Sequence, residues 1–223
     1  MEVKICGVTE PGTLALLGRL GVDFVGFVFY PPSPRALTPA QAAALSASHP
    51  GGPARVGLFV DADDATLAAT LATVRLDILQ LHGSETPARC AEIRARFGLP
   101  VMKALGIGVA ADLDALADYA DVVDRFLLDA KPRAGDALPG GNAHPFEWTL
   151  LAGRAVPRPW LLAGGLTPGN VAQAIAVSGA RGVDVSSGVE IHRGIKCPER
   201  ITAFTTFARA AAPDIPRQTT THD

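Results

Sequence analysis

Several things are scarce in this sequence, and each scarcity removes a class of protein. Cysteine occurs three times, as Cys6, Cys90 and Cys197. An odd number without CxxC spacing argues against a disulfide framework or a zinc site and fits a reducing compartment. A surplus of charge of either sign is also missing. Lys and Arg number 20 against 22 Asp and Glu, for a formal net charge of −2, so no global field draws the chain to nucleic acid or to an anionic membrane. Any anionic ligand must be held by local features. No apolar run approaches the roughly 18–20 residues that a membrane span needs. The opening MEVKICGVTE enters a strand-like run directly, without the basic and apolar regions of a signal peptide. The expectation is a cytoplasmic protein with neither nucleic acid nor membrane as partner.

What is present is a chain of 223 residues, 48% hydrophobic and 19% charged, enough for one domain with a substantial core and short for two. Short apolar runs recur: VKICG (3–7), FVGFVF (24–29), RVGLFV (55–60), DILQLHG (77–83), PVMKALGI (100–107), FLLDA (126–130), WLLAGG (160–165) and GVDVSSG (182–188). They are continuous rather than alternating, as strands buried on both faces are. Helical periodicity lies between them, as in Leu67, Leu71 and Val74, in Cys90, Ile93 and Phe97, and in Ile201, Phe204 and Ala208. Thr38-Pro39 with Gln41, Ser84 with Pro87, and Thr167-Pro168 mark helix starts, with a hydroxyl as N-cap and proline in the first turn. Strand, capped helix, strand, repeated eight times, predicts an α/β protein with a parallel sheet.

An open doubly wound sheet is the competing layout. Eight units of about 26 residues suit a single-domain (β/α)8 TIM barrel of the phosphate-binding type. The residues that look chemical also end many different strands, which only a barrel gathers at one mouth. The barrel is placed at 1–212. The polar, proline-bearing stretch 213–223 is read as a loose tail. KPRAGDALPGGNAHP (131–145) is the longest loop and, following a strand end, is read as a lid or substrate wall.

The seventh strand ends in Ala163-Gly164-Gly165 and the eighth in Ser186-Ser187-Gly188. Backbone N–H groups, hydroxyls and helix N-termini at these two loops are suited to a phosphate; tight turns alone would use the same residues. Cys6 ends the first strand, where a helix start near Thr9 can lower its pKa and give a general base or nucleophile; a small buried hydrophobe is the other reading of a lone cysteine. Cys90, on an apolar helix face, is assigned to packing. Asp129 ends the sixth strand, where desolvation would favour the protonated form of a general acid, unless it pairs with Lys131 or Arg133. Lys4 shares a side with Cys6 and could bias the thiol, or pair with Asp184 on the neighbouring eighth strand; the pairing is preferred. Arg35, in the stiff run Pro31-Pro32-Ser33-Pro34-Arg35, is either a carboxylate clamp or a surface arginine. His82 either lines the pocket or is structural.

At these residues the sequence resembles the phosphoribosylanthranilate isomerase family of tryptophan biosynthesis. The matching segments are VKICGVT (3–9), GFVFYPPSPR (26–35), VGLFV (56–60), LQLHGSE (79–85), LLDA (127–130), LAGGLTPGNV (162–171) and GVDVSSGVE (182–190), in order along residues 2 to about 208. The resemblance implies an Amadori rearrangement of N-(5'-phosphoribosyl)anthranilate. Cys6 would be the base at C2', Asp129 the acid at the furanose oxygen, and Arg35 the anthranilate carboxylate ligand. Gly164, Gly165, Ser186 and Ser187 would hold the phosphate. It implies neither metal nor organic cofactor, because the substrate nitrogen stabilises the opened iminium. Two segments depart from the family. Gly140-Gly141-Asn142-Ala143 stands where Gly-Gly-Thr-Gly is usual, and Ala143 cannot take positive φ cheaply. His192-Arg193-Gly194-Ile195-Lys196-Cys197 replaces Pro-Gly-x-Lys-Asp, and losing an acidic N-cap at 197 costs about 0.5–2 kcal/mol. The rival readings are the histidine-pathway isomerase or a dual-substrate version of it, which carry aspartate where this chain has Cys6, and indole-glycerol-phosphate synthase, which needs a longer N-terminal extension. From another class comes a non-catalytic barrel that binds a phosphorylated metabolite. Monomer and homodimer are equally compatible with the composition.

Overall fold

The computed structural model describes residues 1–131 and 146–211. The eight predicted strands are β1 (Glu2–Cys6), β2 (Phe24–Val28), β3 (Ala54–Phe59), β4 (Ile78–Leu81), β5 (Val101–Ile107), β6 (Arg125–Ala130), β7 (Trp160–Leu162) and β8 (Gly182–Val185). They pair in parallel and in sequence order, and β8 closes on β1. The expected barrel is thus the fold, and the open sheet is excluded by that closing pair. A small antiparallel hairpin, β9 (Glu190–His192) and β10 (Ile195–Lys196), follows β8.

The helices are α1 (Pro11–Arg19), α2 (Pro39–Ser48), α3 (Asp64–Thr73), α4 (Pro87–Phe97), α5 (Leu116–Tyr119), α6 (Val171–Ser178) and α7 (Pro198–Ala210). The strand–helix alternation is less regular than the sequence suggested. After β5 a 3-10 stretch, Ala110–Ala115, leads into the single turn of α5, and the described residues between β6 and β7 hold only the 3-10 turn Trp148–Leu151.

Local signals set most helix ends. Thr38 and Gln41 form a complete capping box ahead of α2. Two expected caps move. Thr86, not Ser84, accepts from Arg89 N to cap α4, while Ser84 donates its N–H and hydroxyl to Asp61. Asn170, not Thr167, occupies the N-cap of α6; its side chain accepts from Thr167 N at 2.7 Å and so closes a turn before the helix begins. Likewise α1 starts after Glu10, with Pro11 in its first turn, rather than at Thr9.

Alternation along each strand divides the apolar residues into two sets. Outward-facing Val3, Ile5, Val25, Phe27, Phe59, Leu79, Phe126 and Leu128 pack under the helices, with Cys90, Ile93, Ile201, Phe204 and Ala208 supplying helix faces as expected. Phe24, Val56, Ile78, Met102, Leu127 and Leu161 fill the barrel. Inward parity also carries Lys4, Cys6, Asp129 and Asp184, so polar groups lie above an apolar plug at the C-terminal ends of the strands.

Cys197 precedes α7 without a side-chain cap for its N–H groups. Cys197→Ser, of nearly the same size, should add about 1 kcal/mol of stability, raising the thermal midpoint by ~2–4 °C for a domain of this length. An unchanged midpoint would show that the cap is already satisfied another way.

Candidate active site

The mouth of the barrel collects three groups of candidate residues. The first centres on Cys6, which ends β1 and is 5% exposed. It lies against Gly26 of β2, where a β-carbon would stand 2.7 Å from its sulfur; only glycine leaves the thiol that space. Below it, Lys4 Nζ donates to Asp184 Oδ1 at 2.8 Å, the pairing preferred from the sequence. Burial pushes Lys4 down, but the carboxylate of Asp184 more than restores it, and the lysine ends above its usual value.

The expectation of a lowered thiol pKa is not met. Burial pushes Cys6 above the usual thiol range, against the pull of Lys4 and Lys196. The physical reason is burial: the thiol is shut away from water. In the absence of substrate, the 240-nm thiolate signal that distinguishes the parent from Cys6→Ser should therefore emerge only in the alkaline range above ordinary thiols. Its appearance at neutral pH would contradict this electrostatic picture.

The second group surrounds Asp129, which ends β6 and is 8% exposed. Its Oδ1 accepts from Ala130 N at 2.8 Å, and its Oδ2 lies 3.4 Å from His82 Nε2, the next residue after β4. Lys131 does not pair with Asp129 but with Asp112, at 2.7 Å. The alternative partner Arg133, the lid at 131–145 beyond Lys131 itself, the altered stretch Gly140–Ala143 and the tail 213–223 lie outside the described residues. A cavity of about 360 Å³ opens beside this carboxylate, lined by Tyr30, Asp61, His82, Ser84, Leu105 and Asp129 among others. A larger surface depression, about 510 Å³ beside Arg94 and Asp124, contains none of the candidate residues, so volume alone does not find the site.

The third group is the two phosphate-type loops. Gly164 and Gly165 take φ of +85° and +63°. At Gly164 a β-carbon would meet Ala130 N at 2.6 Å and Asp129 Oδ1 at 3.1 Å, so this glycine lets the loop press against the end of β6. Ser186 donates its hydroxyl to Cys6 O at 3.1 Å, which ties the β8 loop to the end of β1. Ser187 opens a 3-10 turn, Ser187–Val189.

Arg35 is neither exposed nor open on all sides. At 4% exposure it donates Nε to Glu190 Oε1 at 2.7 Å and Nη2 to Oε2 at 2.9 Å, a bidentate grip. Lys196 Nζ reaches the same carboxylate at 2.8 Å and Ser186 O at 3.0 Å. Burial alone would push Glu190 up; the bonds from Arg35 and the charge of Lys196 outweigh it and hold the carboxyl down at about 2. The same burial lowers Lys196, with Glu190 opposing. Glu190 and Lys196 were not singled out from the sequence. They belong to the β9–β10 hairpin, which folds back so that Gly194 sits against Pro34 O. Five buried charges thus ring the thiol side of the mouth: cations Lys4, Arg35 and Lys196, and anions Asp184 and Glu190. Among the described residues no cluster of three or more His, Cys, Asp or Glu could hold a metal ion, and no helix is long and apolar enough to cross a membrane.

Fold and site together define a (β/α)8 barrel of the phosphate-binding type, with a thiol and a carboxyl on non-adjacent strands of one mouth. The family model for N-(5'-phosphoribosyl)anthranilate isomerase matches residues 3–206, and the chain belongs to that family. The isomerase of Paracoccus denitrificans is 59% identical over 213 residues, spanning 96% of this chain and 98% of the relative. The crystal structure of phosphoribosyl anthranilate isomerase from Thermotoga maritima superposes with a TM-score of 0.84 at 36% identity, over 94% of this chain and 99% of that one. A further isomerase structure, in complex with reduced 1-(o-carboxyphenylamino)-1-deoxyribulose 5-phosphate, gives a TM-score of 0.79 at 34% identity, again over 94% and 99%.

Proposed function

We propose that in this isomerase Asp129 is the general acid and Cys6 the general base of the rearrangement of N-(5'-phosphoribosyl)anthranilate to 1-(2-carboxyphenylamino)-1-deoxyribulose 5-phosphate. The observation that carries this reading is the convergence of the β1 thiol and the β6 carboxyl on one mouth, beside the glycine and serine loops that end β7 and β8. Asp129 gives its proton to the furanose oxygen. The C1'–O bond breaks and the nitrogen lone pair forms C1'=N, giving an opened iminium. Cys6, reacting from the small thiolate fraction that its burial leaves at neutral pH, then takes the C2' proton; the C–H electrons form C1'=C2' and the C=N pair returns to nitrogen. The resulting enolamine gains a proton at C1' and loses the one on its C2' oxygen, leaving a ketone and a secondary amine. No atom or electron is gained overall.

Gly164, Gly165, Ser186 and Ser187 bind the phosphate through backbone N–H groups and the Ser187 hydroxyl, the Ser186 hydroxyl being given to Cys6 O. Arg35, with Nε and Nη2 committed to Glu190, meets the anthranilate carboxylate through its remaining Nη1. His82 lines the wall beside Asp129.

Because acid and base act in different steps, their loss should leave different species. Borohydride added during turnover traps the opened iminium by delivering hydride to C1'. The Cys6→Ser variant should accumulate this species and yield the reduced amine, whereas Asp129→Asn, unable to open the ring, should yield almost none. Equal trapping in both variants would overturn the division of roles.

A further inference from the structure

Gln80 is fully buried, at 0% exposure, and has no part in the roles assigned above. It lies on β4 two residues before His82, so both side chains share the inward parity of the barrel. Its register neighbours across the sheet are Leu58 on β3 and Met102 on β5, neither of which can satisfy an amide. The amide nitrogen lies 2.8 Å from His82 Nδ1, while the buried amide oxygen has no partner among the described residues. A carbonyl oxygen left unpaired is a cost that an apolar side chain at this position would not carry.

The other edge of the imidazole explains what the amide does. His82 Nε2 faces Asp129 Oδ2 at 3.4 Å. A neutral imidazole carries one N–H and one lone pair, and the nitrogen facing a carboxylate oxygen must be the one with the proton. Nδ1 is then an acceptor and needs a donor, which the NH2 of Gln80 supplies. With the amide nitrogen toward Nδ1 and Asp129 in its carboxylate form, the other tautomer would set two donors against each other at Nδ1 and two acceptors against each other at Nε2.

We infer that Gln80 is a positioning residue that fixes His82 as its Nε2–H tautomer, so that the ring N–H is turned toward Asp129. This rests on the general-acid role proposed for Asp129. Before ring opening the acid is protonated; once its proton passes to the furanose oxygen, a carboxylate remains. A preset N–H aimed at that carboxylate interacts more strongly as charge develops than in the ground state, which is the condition for accelerating a step. Gln80 touches no reacting atom and acts through the ring.

The test is histidine 15N NMR of the full chain at mildly alkaline pH, with the His82 signals identified by their loss in His82→Asn. In the parent, Nε2 should show the shift of a protonated nitrogen and Nδ1 that of a lone pair; a proton on Nδ1 would overturn the inference without any variant at residue 80. Gln80→Met should mix the tautomers and lower kcat about tenfold with little change in KM. A folded Gln80→Met that keeps the parent tautomer and the parent kcat would also overturn it. Failure of the underlying reading is separate: it would appear as undiminished turnover by Asp129→Asn, whatever the tautomer of His82.

Discussion

Cys6→Ser and Asp129→Asn should each lower kcat by about 10²–10⁴ while leaving the circular dichroism of the barrel unchanged. Both substitutions nearly preserve shape, so the effect is chemical. A serine hydroxyl is a far weaker acid than a thiol and gives almost no anion to accept the C2' proton. Asparagine has no acidic proton to give the furanose oxygen, although it can still fill the space between Ala130 N and His82. The acid and base serve successive steps of one path, so the double variant should be little slower than the slower single one. Cys90→Ser is the control. That thiol lies on the buried face of α4 and is pushed up to about 11 by burial, and it should be replaceable without loss of turnover. A Cys6→Ser variant with parental kcat would remove the thiol from the mechanism.

Glu190→Gln should be the most damaging single-atom change to the fold of the site. The carboxylate accepts from Arg35 Nε and Nη2, from Lys196 Nζ at 2.8 Å and from Gly194 N at 3.1 Å. Its neutralisation leaves two buried cations without their shared counter-charge, a loss that costs about 3–5 kcal/mol when a buried pair is broken. The thermal midpoint should fall by roughly 10 °C. KM should rise several-fold as well, because the arginine proposed to bind the substrate carboxylate loses its grip on the hairpin. The pH dependence has a definite sign. Glu190 is held at about 2, below its ordinary 4.5, so its contribution is present above about pH 4.5 and is lost as the pH falls toward 2. The variant should lack that acid-range loss. Glu92→Gln offers the contrast: its pairing with Arg89 is at 3.4 Å on an exposed side chain, and its removal should change stability by less than about 0.5 kcal/mol. Equal midpoints for both variants would show that burial is not what gives Glu190 its weight.

The fold and the site differ in how they are written in the sequence. Strands buried on both faces appear as unbroken apolar runs, and their order alone brought Cys6, His82 and Asp129 to one rim. The Lys4–Asp184 pair was also legible, since period-two parity and the adjacency of β1 and β8 place both inside the barrel. What could not be read depends on contacts remote in sequence. Arg35 meets Glu190 across 155 residues, and nothing in the proline-rich run before Arg35 shows that a hairpin will fold over it. The one available signal was charge: Glu190 and Lys196 interrupt apolar positions, Val189 and Cys197 being buried beside them. The state of Cys6 was misjudged for a related reason. Position in the sequence suggested a nearby helix N-terminus, whereas burial, a property of the assembled barrel, dominates its ionisation. The caps at Thr86 and Asn170 moved because Ser84 and Thr167 are drawn into turns by Asp61 and Asn170, partners that a local pattern does not weigh.

The most direct test of the central claim is the loss of anthranilate-type fluorescence when freshly generated N-(5'-phosphoribosyl)anthranilate meets the purified chain. Rapid decay is expected with the parent, far above the spontaneous rate, and near-background decay with Cys6→Ser and with Asp129→Asn. A folded parent that leaves the fluorescence to decay at the spontaneous rate would contradict it.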